Sequence, residues 1–180
     1  MYDKTTKEND KILEEVLNKV NKKSFVIIGI MLLMLLVICG CSSTESAKNQ
    51  AGAYFTLFET LYETDPALHS NCIYLAVDLS KVKLSDTKPL KELFKDFCEE
   101  NEYTLLLDTI DGLREKGYVV DLRFPDGFVI IFDDTQLDEN TIVTNAMKWR
   151  SGLGAVGAEY TLKRKDFTWE ITKTAKAWIS

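Results

Sequence analysis

The spacing of the hydrophobic positions changes along the chain, and each spacing predicts a different kind of element. Over residues 51–63, apolar side chains recur every three or four positions, which is typical of a helix with one buried face. The same spacing predicts helices over 89–100 and 104–116. Pro89 stands at the first position of the second helix and Gly117 directly follows the third, where these residues favour a helix start and a helix end.

Further along the chain, runs and alternations of apolar residues predict strands. Residues 72–77 form a short apolar run, which indicates a buried strand. Residues 118–124 and 127–133 flank Pro125-Asp126, a pair that favours a tight turn, so these segments predict a hairpin. Three more strands are predicted over 141–150, 156–164 and 167–174.

Helices followed by a run of strands predict an α+β domain. In such a domain the helices pack on one face of a curved antiparallel sheet, because each helix must bury its apolar stripe. The domain covers residues 51–180, a length that supports one hydrophobic core.

The segment before this domain has the composition of an export signal. Residues 25–38 contain no polar side chain and follow Lys22 and Lys23, and positive residues on that flank keep the preceding segment in the cytoplasm. As a helix, this run would reach roughly 21 Å, which is less than the ~30 Å of a hydrocarbon core. Its length is typical of a signal peptide, which we predict for residues 1–40.

The end of the apolar run, Ile38-Cys39-Gly40-Cys41, resembles the lipobox of bacterial lipoproteins. Ile38 fills the aliphatic position, Gly40 the small position before the cut, and Cys41 the lipidated position. Cys39 departs from the usual Ala, Ser or Thr, although it is also small and neutral. The resemblance implies cleavage before Cys41 and fatty acylation (palmitate-type chains) of that residue, and two acyl chains anchor a protein stably.

An uncleaved membrane anchor is the alternative for the same segment. Counted over 25–41, the apolar stretch reaches the lower limit for a spanning helix. The preceding residues 1–23 carry apolar positions at helical spacing and predict an amphipathic helix. Both interpretations place the domain outside the cytoplasm, at the cell membrane, after a polar tether over 41–50.

The predicted order of elements, a long-stranded meander with a tryptophan near its end, is similar to that of cystatin-like and NTF2-like domains of exported bacterial proteins. The chain also resembles small lipoprotein families of Gram-positive bacteria, at residues 148–154 and at Trp178-Ile179-Ser180. These resemblances imply the curved-sheet fold. They imply no activity.

The charge of the exported part argues against one class of partner. The formal net charge is −6, and the chain from Cys41 onward holds 16 basic and 23 acidic residues. An acidic domain repels phosphate backbones, so nucleic acid is not expected as a partner. The expected partners are membrane lipid, through Cys41, and an envelope protein or small ligand.

Cys72 and Cys98 are the two cysteines of the domain. Outside the cytoplasm a disulfide between them is permitted. Two separate buried thiols fit the sequence equally well, because a free cysteine behaves as a small hydrophobic residue. The sequence leaves both arrangements open.

The glycine pattern at residues 152–157 matches GxGxxG, a motif of dinucleotide-binding folds. That motif works between a strand and a helix, where the helix N-terminus meets pyrophosphate. Here a strand-like segment follows, so we expect these glycines to let a strand bend or let a helix approach the sheet.

No constellation of residues predicts catalysis. His69 is the only histidine, which excludes a metal site built on several histidines, and we expect it to be a solvated loop residue. Asp133, Asp134, Asp138 and Glu139 form an acidic segment without the alternation and glycine of a calcium loop, so a solvated turn is expected. No catalytic residue, metal or cofactor is predicted.

Three hypotheses on function follow. The first is a non-enzymatic binding or interaction module at the membrane, with a concave pocket lined by aromatics such as Trp149 or Tyr160, or with an exposed apolar patch. The second is an envelope hydrolase that uses paired carboxylates such as Asp133 or Asp134. The third is a structural component of an envelope assembly. The sequence favours the first.

Overall fold

The structure is a computed structural model, and it describes residues 45–166 and 168–180. Helix α1 covers residues 45–63, and a short 3-10 helix follows at Pro66–His69. The remaining elements are β1 (Tyr74–Lys81), α2 (Lys88–Glu100), β2 (Thr104–Leu107), α3 (Ile110–Glu115), β3 (Gly127–Leu137), β4 (Thr141–Ser151), β5 (Gly154–Lys165) and β6 (Thr168–Ile179).

The α+β class is confirmed. The six strands form one open, curved sheet in the order β2-β1-β3-β4-β5-β6. The pairs β3-β4, β4-β5 and β5-β6 are antiparallel, as predicted, whereas β1 runs parallel to both β2 and β3. The sheet is therefore mixed, and its parallel part is connected through α2 and α3.

The predicted helix over 104–116 is wrong in its first half. Residues 104–107 form the edge strand β2 instead, because a run of four residues, three of them leucine, is compatible with a short strand as well as with a helix. Helix α3 begins only after Thr109, whose hydroxyl accepts a hydrogen bond from the Gly112 amide at 3.0 Å. That N-cap marks the true helix start.

The predicted hairpin before β3 does not form either. Residues 118–126 are a loop, in which Asp121 and Leu122 adopt left-handed backbone conformations with φ of 48° and 57°. Strand β3 pairs with β1 and β4 instead. The local alternation of apolar residues is real, but it serves to bury Val119 and Phe124 while Val120 and Leu122 face solvent.

The larger core lies between the inner face of the sheet and helices α1 and α2. The inner face presents side chains from β1, β3, β4 and β5. At the centre, rings from the two helices interlock edge to face: the Phe58 centroid lies 4.9 Å from that of Phe94 and 4.7 Å from that of Phe97. The buried sheet residues that face these helices are Leu75, Val77, Phe128, Ile130, Phe132, Ile142, Ala146, Ala158, Tyr160 and Leu162.

A smaller core covers part of the opposite, outer face of the sheet. Leu113 of α3, with Val119 and Phe124 of the following loop, packs on Ala76 and Val129. Trp149 and Ala155, at the adjoining ends of β4 and β5, complete this cluster. Helices α1 and α2 thus lie on one face as predicted, and α3 lies on the other. The connection from β1 through α2 to β2 and the connection from β2 through α3 to β3 run in opposite directions across the sheet, and right-handed connections in opposite directions lie on opposite faces.

Candidate functional site

The predicted cleavage and lipidation residues Ile38, Cys39, Gly40 and Cys41 lie outside the described residues. The part of the predicted tether that the structure describes, residues 45–50, is helical and belongs to α1. None of the helices within residues 45–166 and 168–180 is both long and apolar enough to cross a bilayer.

Helix α1 runs from one end of the sheet to the other. Near its start, Asn49 accepts a hydrogen bond from the indole nitrogen of Trp169 at 2.7 Å, and Gln50 donates to the Asp138 carbonyl at 3.1 Å. Both contacts lie beside the β3–β4 and β5–β6 turns. These contacts hold the start of α1 at this end of the sheet.

The other end of α1 is fixed by a buried lysine, Lys148 of β4. Its side chain has no exposed surface, and its ammonium group donates to the carbonyls of Tyr62 and Asp65 at 3.0 Å and also to that of Thr64. The carbonyls at a helix end lack intrahelical partners and favour a nearby cation. Burial lowers the pKa of Lys148 from 10.5 to about 8.

His69 is not the solvated residue that the sequence predicted. Its ring is half-buried and stacks on Tyr62 with a centroid separation of 4.0 Å. Its Nδ1 lies 3.3 Å from the Lys148 ammonium nitrogen. Burial, and then the charge of Lys148, lower the His69 pKa. These contacts give His69 a structural role in holding the 3-10 turn against the end of α1.

The adjacent carboxylates Asp133 and Asp134 point to opposite faces of the sheet. Asp133 pairs with Lys81 at 2.8 Å on the surface. Asp134 is buried under α1, where it accepts hydrogen bonds from the Tyr54 hydroxyl at 2.5 Å and the Lys83 amide at 2.8 Å. The two groups therefore share no cleft, and the solvated turn expected here is wrong for Asp134. Burial, reinforced by the Asp134 carboxylate, raises the pKa of Tyr54.

The concave face of the sheet is filled by α1. Trp149 and Tyr160, which were expected to line a concave pocket, are both buried in the two cores. In the part of the chain that the structure describes, no group of three or more His, Cys, Asp or Glu side chains is placed to bind a metal ion. A ligand or partner must therefore approach another surface.

Cys72 and Cys98 are free thiols in this structure, and a disulfide between them stays a prediction. Cys98 is buried on α2, and burial raises its pKa to about 11. Cys72 is half-buried just before β1, and burial also raises its pKa.

The GxGxxG segment forms the β4–β5 hairpin. Gly152 lies in the turn, whereas Gly154 and Gly157 lie in β5, so strand follows strand as the sequence indicated. A dinucleotide would need a helix N-terminus at this point. The glycines instead allow close packing, since a Cβ at Gly157 would lie 2.8 Å from the Trp178 ring.

A crevice of about 310 Å³ lies at the carboxyl ends of the parallel strands β1 and β2. Such a position commonly binds ligands in α/β sheets. Its carboxylates, however, already have partners: Asp108 accepts from Lys116 at 2.6 Å and from the Thr109 amide, and Asp78 accepts from the Ser80 amide. Lys116 holds the pKa of Asp108 below its usual value. This internal pairing makes the crevice a weaker candidate.

Four of the exposed large apolar side chains lie at the end of the sheet opposite the start of α1. Leu153, at the tip of the β4–β5 hairpin, is 91% exposed, and Ile179 beside the start of β5 is 80% exposed. Val120 and Leu122 of the left-handed loop are 54% and 60% exposed, and the Leu122 carbonyl accepts from the Gly152 amide. We call these four residues the apolar end.

Sequence reasoning missed both the buried lysine and the apolar end. Lys148 continues the inward positions Ile142, Thr144 and Ala146 of β4, so strand alternation alone places it inside. The apolar end depends on the left-handed loop, which no local pattern indicates. Comparison of the chain with known protein families, curated proteins and solved structures finds no match.

Proposed function

We propose that this protein is a lipid-anchored module outside the cytoplasm that binds a protein partner through the apolar end, by binding and not by catalysis. The observation that carries the proposal is the collection of four exposed apolar side chains at one end of the domain. Isolated exposed hydrophobic residues are common, but several of them gathered at one end of a domain indicate an interaction site.

The direction of α1 supports this proposal. If Cys41 is anchored, the chain to residue 45 spans at most about 14 Å, so the end of the domain where α1 enters lies close to the bilayer. The 19 described residues of α1 rise roughly 28 Å toward the other end. The apolar end is then held away from the lipid, where it meets proteins and not the membrane surface.

The same geometry favours a different protein over a second copy. Two copies anchored in one membrane point their apolar ends in the same direction. A two-fold contact joins the same patch on both copies, and an end-to-end contact would require one copy to be inverted. The partner we expect is therefore an envelope protein with a complementary apolar surface. Asp121 and Arg123 neighbour Leu122 in the chain and are exposed, and we expect their charged side chains to form the polar rim of the interface.

The anchor is tested by the intact mass of the protein extracted from membranes, for wild type and Cys41→Ala. We expect a wild-type species that starts at Cys41 and carries a diacylglyceryl group, and its loss in the variant. A mass that retains residues 1–40 in both would overturn the lipid anchor and leave the uncleaved membrane helix.

The interface is tested with a photo-crosslinking amino acid placed in cells at Leu153 and, as a control, at the exposed Lys95 of α2. We expect one dominant heterologous adduct from position 153 alone. The partner so identified should bind the purified full chain, and Leu153→Asp or Leu122→Asp should weaken that binding at least tenfold. Equal adducts from both positions, an adduct with only a second copy, or unchanged affinity in the variants would refute the proposal.

A further inference from the structure

The outer face of the sheet carries a groove that neither the proposed anchor nor the apolar end uses. It has a volume of about 210 Å³ and lies across β4, β5 and β6, on the part of the face that α3 leaves uncovered. Its lining residues include Asn145, Met147, Glu159, Lys176 and Trp178. Trp178, near the end of the edge strand β6, is 42% exposed, so part of the largest apolar side chain faces solvent at this groove.

The groove is built by two local features of β5 and β6. Gly157 leaves room for the indole: a Cβ there would lie 2.8 Å from the Trp178 ring and 2.9 Å from the Met147 Cβ. A bulge in β6 places two residues opposite one of β5, since Gly157 pairs with Trp178 but Glu159 with Ala175. Bulges of this kind re-aim side chains and are common beside functional sites.

Lys176 lies in this bulge with a left-handed backbone, φ 50°, which costs energy for a residue other than glycine. Its ammonium group pairs with the Glu159 carboxylate at 3.0 Å. The pair holds an acceptor and a donor side by side at the edge of the groove, next to the indole. The backbone strain is thus associated with a defined arrangement of polar groups.

The geometry points to a saccharide-binding groove that takes one sugar ring of a glycan chain. A sugar ring has an apolar face of C–H bonds that stacks on an indole, and hydroxyl groups at its edge that bond to polar side chains. Trp178 supplies the stacking surface. Glu159, Lys176 and Asn145 supply acceptors and donors within the same groove.

Charge and shape distinguish a glycan from other ligands. The carboxylate and the ammonium neutralise each other, so the groove offers no excess charge to an anion or a cation. Its volume is below that of pockets that enclose a whole drug-sized ligand, and fits a single ring of a longer molecule. The groove lies on the surface of the sheet, so neighbouring rings of a chain can extend beyond it.

The test is calorimetric titration of the purified full chain, in detergent, with cellotetraose and chitotetraose. We expect saturable binding of at least one oligosaccharide. Trp178→Ala should weaken it at least tenfold, and Trp178→Phe, which keeps an aromatic face, should weaken it less. Leu153→Asp, which alters the apolar end, should leave it unchanged.

Thermal unfolding of each variant shows whether the fold is retained, and Glu159→Gln provides a second, milder change, which we expect to weaken binding several-fold. The absence of binding by both oligosaccharides, or binding that neither Trp178→Ala nor Glu159→Gln alters, would overturn the proposal. Binding of tetra-alanine but of neither glycan would also overturn it, in favour of a peptide groove. Because the groove and the apolar end are tested with different variants and different binding partners, failure of one proposal leaves the other standing.

Discussion

Replacement of the buried Lys148 by methionine tests the internal architecture most directly. The substitution keeps the length of the side chain but removes the donors to the carbonyls at the end of α1. Hydrogen bonds from a charged donor contribute about 2 kcal/mol each, so three are worth ~6 kcal/mol. Burial lowers the pKa of Lys148 and so disfavours its charged form, which makes the net loss smaller than this sum. We expect Lys148→Met to lower the free energy of unfolding by about 3 kcal/mol at pH 7.

The stability difference between wild type and Lys148→Met should also change with pH in a defined direction. Because the folded pKa of Lys148 is lowered, the unfolded chain binds more protons than the folded chain between pH 8 and pH 10.5. Wild-type stability gains from this group as pH rises through that window, and the methionine variant has no such gain. The difference between wild type and Lys148→Met should therefore increase between pH 7 and pH 9.5.

The measurement is urea unfolding followed by tryptophan fluorescence and circular dichroism at both pH values. Lys163→Met, an exposed lysine on the outer face of β5, is the matched control and should change stability by less than about 0.5 kcal/mol. A Lys148→Met variant as stable as this control would refute the capping role. A difference that shrinks with rising pH would show that the cation is stabilised by its surroundings, against the reasoning above.

Three further predictions concern other parts of the domain. Gly52→Ala on α1, where a Cβ meets nothing within 4 Å, should raise stability by about 0.5–1 kcal/mol, whereas Gly157→Ala should lower it by about 1–3 kcal/mol; urea unfolding of both variants checks the opposite signs. Iodoacetamide should alkylate the half-buried Cys72 before the buried Cys98, as followed by mass spectrometry, and an unfolded, unreduced chain that resists alkylation at both would instead reveal a disulfide. Because the folded pKa of His69 is lowered, stability should fall as pH drops below 6.5, and His69→Gln should reduce that dependence in acid unfolding.

The sequence predicted correctly those helices and strands whose apolar residues all face the larger core. Residues 51–63 and 89–100 are helices because their apolar stripes face the sheet, and the alternation in β4 and β5 reflects one inner and one outer face. The hydrophobic pattern predicted the wrong element where the local sequence is compatible with two structures and a distant contact decides between them. Residues 104–107 have no hydrophobic periodicity that distinguishes a strand from a helix. Their parallel pairing with β1 makes them a strand.

The candidate sites were harder to predict, because each arises from contacts between distant parts of the chain. Lys148 meets the end of α1 more than 80 residues earlier in the chain. The groove requires the register of β5 and β6, in which a bulge brings Trp178 opposite Gly157. A glycine and a tryptophan separated by twenty residues carry no signal of this pairing until the register is known.

The outer face of the sheet is solvated, so the exposed Trp178, the glycine opposite it and the left-handed Lys176 beside it need an explanation other than packing. An antiparallel sheet tolerates one solvated face when polar residues cover it, and here Thr161, Lys163, Glu170 and Lys173 do so on β5 and β6. A polar residue at position 178 would satisfy the same requirement without a glycine opposite it or a left-handed lysine beside it. Since the fold does not need the exposed indole, the glycine and the bulge that accommodate it are best explained by a ligand that contacts this face.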